Sequence, residues 1–118
     1  MKKYLSFLGL SKFKDTKILM GRLEDPYHIA RICKTLSVDT RVKIVQMLKS
    51  HALCVRAIAD RLKISESAVS QHLRILRDAD LVIPDKRGYW VHYRINPETL
   101  GQWRDVVGAL FADEKTDS

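Results

Sequence analysis

Between residues 55 and 79 two runs of helical periodicity are separated by only three residues, Lys63-Ile64-Ser65. The first run, over about 55–62, places Ile58, Ala59 and Leu62 on one face. The second, over about 66–79, places Val69, Leu73 and Leu76 on another inner face, and Ser65 is a good N-cap for it. After Leu81 the period changes from 3.6 to 2. Leu81-Val82-Ile83 reads as a strand, residues 84–88 as a turn, and residues 89–95 as a returning strand. Tyr89, Val91, Tyr93 and Ile95 should share one face of that strand, and Trp90, His92 and Arg94 the other.

Two short helices joined by a three-residue turn form a helix-turn-helix, and the second helix of such a pair is placed to enter a DNA major groove. The hairpin that follows, with "PDKRG" at its tip, adds a basic wing. The expected fold is therefore mainly α with a small β-hairpin wing, a winged helix-turn-helix.

The flanks supply further helices. Asp25-Pro26 is a capping acid followed by proline at the first helical position. Ile29, Ile32, Cys33 and Leu36 then form one apolar stripe. Ser37 or Asp39 can cap the next helix, with Val42, Val45 and Leu48 on its buried side. Asn96-Pro97 repeats the cap-plus-proline start, and Leu100, Trp103, Val107 and Leu110 make a short coiled-coil-like seam. The expected organisation is a basic arm over 1–24, a DNA-binding and dimerisation domain over 25–112, and an acidic tail over 113–118.

A chain of 118 residues fits one domain with a modest core. No apolar run is long enough to cross a bilayer, and the short N-terminal "YLSFLGL" is followed by no small-residue cleavage site, so a cytoplasmic location is expected. The two cysteines, Cys33 and Cys54, are too few for a disulfide framework and form no CxxC pair. Net charge is +7 and unevenly spread. Residues 1–24 carry six Lys/Arg against two acids, whereas residues 96–118 carry two against five. A basic body with an acidic tail points to a polyanionic partner, most often nucleic acid. No nucleophile–base pairing, phosphate-binding glycine loop or metal-ligand cluster is visible in the sequence, so an enzyme is not expected.

With Val69, Leu73 and Leu76 facing inward, the outer face of the second helix holds Ser67, Ser70, Gln71, Arg74 and Arg77. Serine and glutamine suit base edges, and arginine pairs with guanine or grips phosphate. The helix start at Ser65 offers backbone N–H groups to phosphate oxygens. Lys86 and Arg87 on the wing can reach the backbone or a minor groove. These eight residues, Ser65, Ser67, Ser70, Gln71, Arg74, Arg77, Lys86 and Arg87, are the candidate contacts to double-stranded DNA. The competing reading is a winged helix that serves as a protein-interaction module.

The runs "LSVDTRVKIVQML", "LCVRAIADRLKISESAVSQHLRILRDADLV" and "KRGYWVHYRIN" together resemble the arsenic-repressor family of winged-helix regulators (ArsR/SmtB), over about 29–96. The resemblance implies a homodimeric transcriptional repressor that sits on a palindromic operator and leaves it when a metal, a metalloid or an oxidant acts. It also implies dimerisation through the first and last helices, which carry Ile29, Ile32, Leu100, Trp103, Val107 and Leu110. One departure is Glu66, where family members often carry Gln. Another is the soft-metal Cys-x-Cys pair, of which only Cys54 is present, because its second slot is Arg56. The last helix carries carboxylates but no histidine, a poor donor set for zinc. Cys33 and Cys54 remain as the candidate inducer site, for trivalent arsenic, a soft divalent metal or oxidation to a disulfide. Against this, Cys33 stands on an apolar stripe and reads as packing, and the alternative for the chain is a DNA-binding regulator with no thiol-linked inducer.

Overall fold

The structure, a computed structural model, describes residues 25–113; the expected basic arm and all but the first residue of the expected tail lie outside the described residues. The elements are α1 (Pro26–Thr35), α2 (Asp39–Leu48), β1 (Leu53–Cys54), α3 (Val55–Leu62), α4 (Glu66–Asp78), β2 (Val82–Arg87), β3 (Trp90–Ile95) and α5 (Pro97–Phe111). The described residues fall into two compact units, 25–32 with 98–113, and 33–97.

In the 33–97 unit the core is built from Ile44, Val45, Leu48, Leu53, Ile58, Ala59, Val69, Leu73, Leu76, Leu81 and Val82, all buried. Helix α2 buries Val45 and Leu48 as expected, but its inner face is centred away from Val42. Ile44, Val45 and Leu48 are buried together with Arg41, whereas Val42 is exposed. Its N-cap is Val38, without a side-chain bond; the Ser37 hydroxyl donates instead to the Lys34 carbonyl at 2.8 Å, and Asp39 is the first helical residue.

The turn between α3 and α4 is tight because Lys63 adopts the left-handed conformation at φ 57. The Lys63 and Ile64 N–H groups then reach back to the Ala59 carbonyl, closing the end of α3 within two residues. Ser65 caps α4, its hydroxyl oxygen accepting from the Ala68 N–H at 3.1 Å. The far end of α4 closes in a Schellman arrangement. Asp80, at φ 64, donates to the Arg77 carbonyl, and the next N–H, of Leu81, donates to the Leu76 carbonyl.

The wing differs from the expected hairpin in two ways. A third strand is present: β1 pairs with β3, Leu53 opposite Tyr93 and Cys54 opposite His92, so the sheet order is β1-β3-β2 and fully antiparallel. Strand β2 also runs straight through Pro84 to Arg87, leaving only Gly88 and Tyr89 as the turn. Proline is tolerated there because β2 is an edge strand, and Gly88 supplies the positive φ of 64 that a two-residue turn needs. Lys86 and Arg87 therefore stand on a strand rather than in a loop, and Tyr89 is a fully exposed turn residue instead of a strand residue. The buried Asn96 anchors the base of the wing: its N–H donates to the Leu81 carbonyl at 2.8 Å and its side-chain amide to the Asp80 carbonyl at 3.1 Å.

In the other unit, the Asp25 carboxylate accepts from the Tyr27 N–H at 3.0 Å, the cap expected at the start of α1. Ile32 is buried; Cys33, which belongs to the 33–97 unit, is exposed rather than packed on the stripe. On α5 the buried residues are Thr99, Gln102, Trp103 and Val106. Of the four residues of the expected coiled-coil-like seam, Trp103 is buried, Leu100 and Val107 are half-buried, and Leu110 is exposed.

Candidate nucleic-acid interface

Helix α4 presents two faces of opposite character. Val69, Leu73 and Leu76 are at most 1% exposed, so the helix has one fixed rotation about its axis. That rotation leaves Ser67, Ser70, Gln71, Arg74 and Arg77 all exposed, together with Ser65 at the cap. Lys86 and Arg87 are exposed on β2. All eight candidate contacts are therefore solvent-facing.

The carboxylates near these residues restrain them little. Arg77 meets Asp78 at 4.0 Å and Arg87 meets Asp85 at 3.5 Å, both pairs well exposed and weak in water. Glu66 is exposed in the first turn of α4, where the helix dipole favours an acid. The Ser65 hydroxyl is already engaged with the Ala68 N–H and lies 3.3 Å from that of Ser67.

Arg41 and His72, neither of them among the eight candidate contacts, position α4. Arg41 is 9% exposed, and its Nε donates to the Thr35 carbonyl at 2.6 Å while one Nη donates to the Lys34 carbonyl at 3.4 Å. Its other Nη faces His72 Nδ1 on α4 at 3.5 Å. A guanidinium has no acceptor, so Nδ1 must carry the lone pair and the neutral ring its proton on Nε2. Burial pushes the His72 pKa below its ordinary value, the Arg41 charge pushes the same way, and Asp39 opposes them. The sequence did carry a signal: Arg41 precedes Ile44, Val45 and Leu48 at the spacing of one buried helical face.

Tyr93 is the third addition. Together with Ser70, Leu73, Arg74 and Arg77 it lines a recess of about 250 Å3.

Cys33 is not among the residues that line the recess at Cys54. Cys33 is exposed on α1, whereas Cys54, at the N-cap of α3, lines a shallow recess of about 410 Å3 with Arg56, Ala57, Asp60, Trp90 and His92. The Nδ1 atom of His92 is buried there without a hydrogen-bond partner among the described residues. No group of three or more His, Cys, Asp or Glu among the described residues is arranged to hold a metal. No helix among them is long and apolar enough to cross a membrane.

A capped helix-turn-helix with an exposed polar and basic second helix and a three-stranded wing defines a winged helix-turn-helix protein. Residues 39–83 match the model of the bacterial regulatory protein arsR family. The arsenic resistance transcriptional regulator ArsR1 of Pseudomonas putida is 34% identical over 77 residues, 64% of this chain and 59% of that protein. The transcriptional repressor SdpR of Bacillus subtilis is 32% identical over 69 residues, 58% of this chain and 77% of that protein. A crystal structure of a possible transcriptional regulator for arsenical resistance superposes with TM-score 0.65 at 36% identity, covering 70% of this chain and 86% of that one. The chain belongs to the arsR family of bacterial regulatory proteins. That is a family of transcriptional regulators and not a class of enzyme. The chain spans about three fifths of the length of the first arsenic-resistance relatives it matches.

Proposed function

We propose that this chain is a sequence-specific DNA-binding transcriptional repressor, cytoplasmic and homodimeric, that an inducer releases from its operator. The observation that carries the reading is the outer face of α4, where every candidate contact is exposed while the inner face is locked into the core. Residues 25–112 act as the DNA-binding and dimerisation domain, residues 1–24 as a basic arm and residues 113–118 as an acidic tail. Ser67 and Gln71, near the start of α4, read base edges; Lys86 and Arg87 carry the wing onto the backbone. A two-fold dimer sets its two copies of α4 one DNA turn apart, ~34 Å, on a palindrome. Ile29, Ile32, Leu100, Trp103, Val107 and Leu110 supply the dimer contacts. The end of α5 supports this, because Leu110 and Phe111 are left 51% and 77% exposed.

The inducer is a trivalent arsenical, a soft divalent metal or an oxidant acting at Cys54 and Cys33. The name of the Pseudomonas putida relative favours the arsenical. A second reading, a DNA-binding regulator without a thiol-linked inducer, is favoured by the placement of Cys33 outside the Cys54 recess. The test is the affinity of the reduced protein for its own upstream promoter DNA, at fixed salt, with and without a trivalent arsenical. Specific binding that the arsenical weakens supports thiol-linked release. Specific binding that ignores it supports the second reading, and absence of specific binding contradicts both.

A further inference from the structure

The recess between α4 and β3 has a lining that suits one kind of ligand. Ser70, Arg74 and Arg77 lie at i, i+4 and i+7, a single stripe along the helix. Leu73, 1% exposed, forms the apolar floor. Tyr93 closes the far side from β3, held in place by pairing with Leu53 on one flank and Pro84 on the other. The lining therefore offers two guanidinium groups, an aliphatic hydroxyl and a phenol, and it contains no carboxylate. Among the described residues, the carboxylate paired with these arginines, Asp78 at 4.0 Å from Arg77, is exposed and outside the recess. A donor-rich, doubly cationic pocket favours an anion with several acceptor oxygens over an apolar or cationic ligand.

Its place on the helix decides which anion. The N-terminal residues of a recognition helix reach base edges, and residues further along it approach the backbone. Arg74 and Arg77 stand in the second half of α4, beside Tyr93 of β3, the returning strand of the wing. We infer that Ser70, Arg74, Arg77 and Tyr93 form a seat for one DNA phosphodiester, which fixes the register of α4 in the groove and leaves sequence discrimination to Ser67 and Gln71. The inference rests on the DNA-binding reading above and divides its labour: arginines that could equally have read guanine are given to the backbone. Tyr93, which looks like a sheet residue from the sequence alone, is recruited to the interface.

Phosphate contacts and base contacts leave different signatures. Removing a phosphate contact weakens binding to all duplexes alike and lowers the salt slope, whereas removing a base contact relaxes sequence preference. The full chain would be titrated with its upstream promoter duplex and with a scrambled duplex of equal length, across a salt series. The variants are Tyr93→Phe, Arg77→Gln and, as a base-reading comparison, Gln71→Ala. Tyr93→Phe removes a single hydroxyl and keeps the ring in the sheet, so folding is preserved. It should weaken both duplexes by the same factor, about two- to tenfold, the scale of one hydrogen bond. Arg77→Gln should weaken both by about tenfold or more and reduce the slope of log K against log salt by about 0.9. Neither should alter the promoter-to-scrambled ratio, which Gln71→Ala should reduce.

An Arg77→Gln variant that loses promoter preference while keeping its salt slope would make Arg77 a base reader and overturn the seat. So would a Tyr93→Phe variant that binds both duplexes like the wild type. The broader reading fails separately. If the wild type binds both duplexes equally, sequence-specific repression is refuted, yet Arg77→Gln must still lower the salt slope. A wild type that binds no duplex refutes both.

Discussion

Arg41 shows how much one side chain holds. Its guanidinium, almost fully withdrawn from solvent, serves the last carbonyls of α1, where a helix leaves acceptors unsatisfied and its dipole favours a cation. The same group faces His72 on α4. Replacing it by methionine keeps much of the packing but removes those donors. Arg41→Met should cost about 2 kcal/mol in urea unfolding, the scale of hydrogen bonds from a charged group. An unchanged midpoint would show that water serves the carbonyls as well. His72 adds a pH dependence whose sign follows from its depressed pKa. The folded state holds fewer protons on this ring than the unfolded chain, whose histidine has the ordinary value of 6.5. The contribution is fully present above pH 6.5 and is lost as pH falls from there through the folded pKa. Asp39, which opposes the shift, moderates it. His72→Gln should flatten the stability profile on the acid side of pH 6.5 relative to wild type; an identical profile would remove His72 from the account.

At the scale of elements, α4 is set by signals that lie beside one another in the chain. Ser65 caps it, and three apolar residues fix its inner face. Ser65→Ala should destabilise the protein by about 1 kcal/mol, whereas Ser65→Asp keeps the cap and so the stability. Yet Ser65→Asp brings a negative charge to the proposed DNA-facing side, so its affinity for duplex should fall while its denaturation midpoint holds. Loss of both, or of neither, would separate the cap from the interface differently. Locality also explains what is legible in the sequence. The helix-turn-helix, its cap, its buried leucines and its exposed face are readable because each depends on neighbours within one or two turns. Strand β1 is not, because two residues become a strand only through pairing with Tyr93 and His92, some 40 positions away. The wing reads too short because Pro84 usually marks a turn; its tolerance on an edge strand depends on the sheet order. Tyr93 is legible as a residue of a sheet face, but its place beside Arg74 and Arg77 is a tertiary fact. Cys33 and Val42 fall on apolar stripes in the sequence but are exposed in the structure, whereas Ile32, Val45 and Leu48 of the same stripes are buried.

At the scale of the molecule, charge and exposed apolar surface point to different partners. A net charge of +7 suits a polyanionic partner, an attraction that salt would screen. The exposed Leu110 and Phe111 at the end of α5 point to a second copy. Leu110→Glu should shift sedimentation equilibrium towards monomer and lower promoter affinity, because each half-site contact alone is weak. A variant that remains dimeric would move the interface away from this end of α5. The central claim is that the outer face of α4 reads sequence, and the most direct measurement is the ratio of promoter to scrambled-duplex affinity at matched salt, for the wild type and for Gln71→Ala. The account predicts a wild-type ratio on the order of a thousandfold or more, cut by about tenfold in the variant. Equal affinity of the wild type for both duplexes would contradict it.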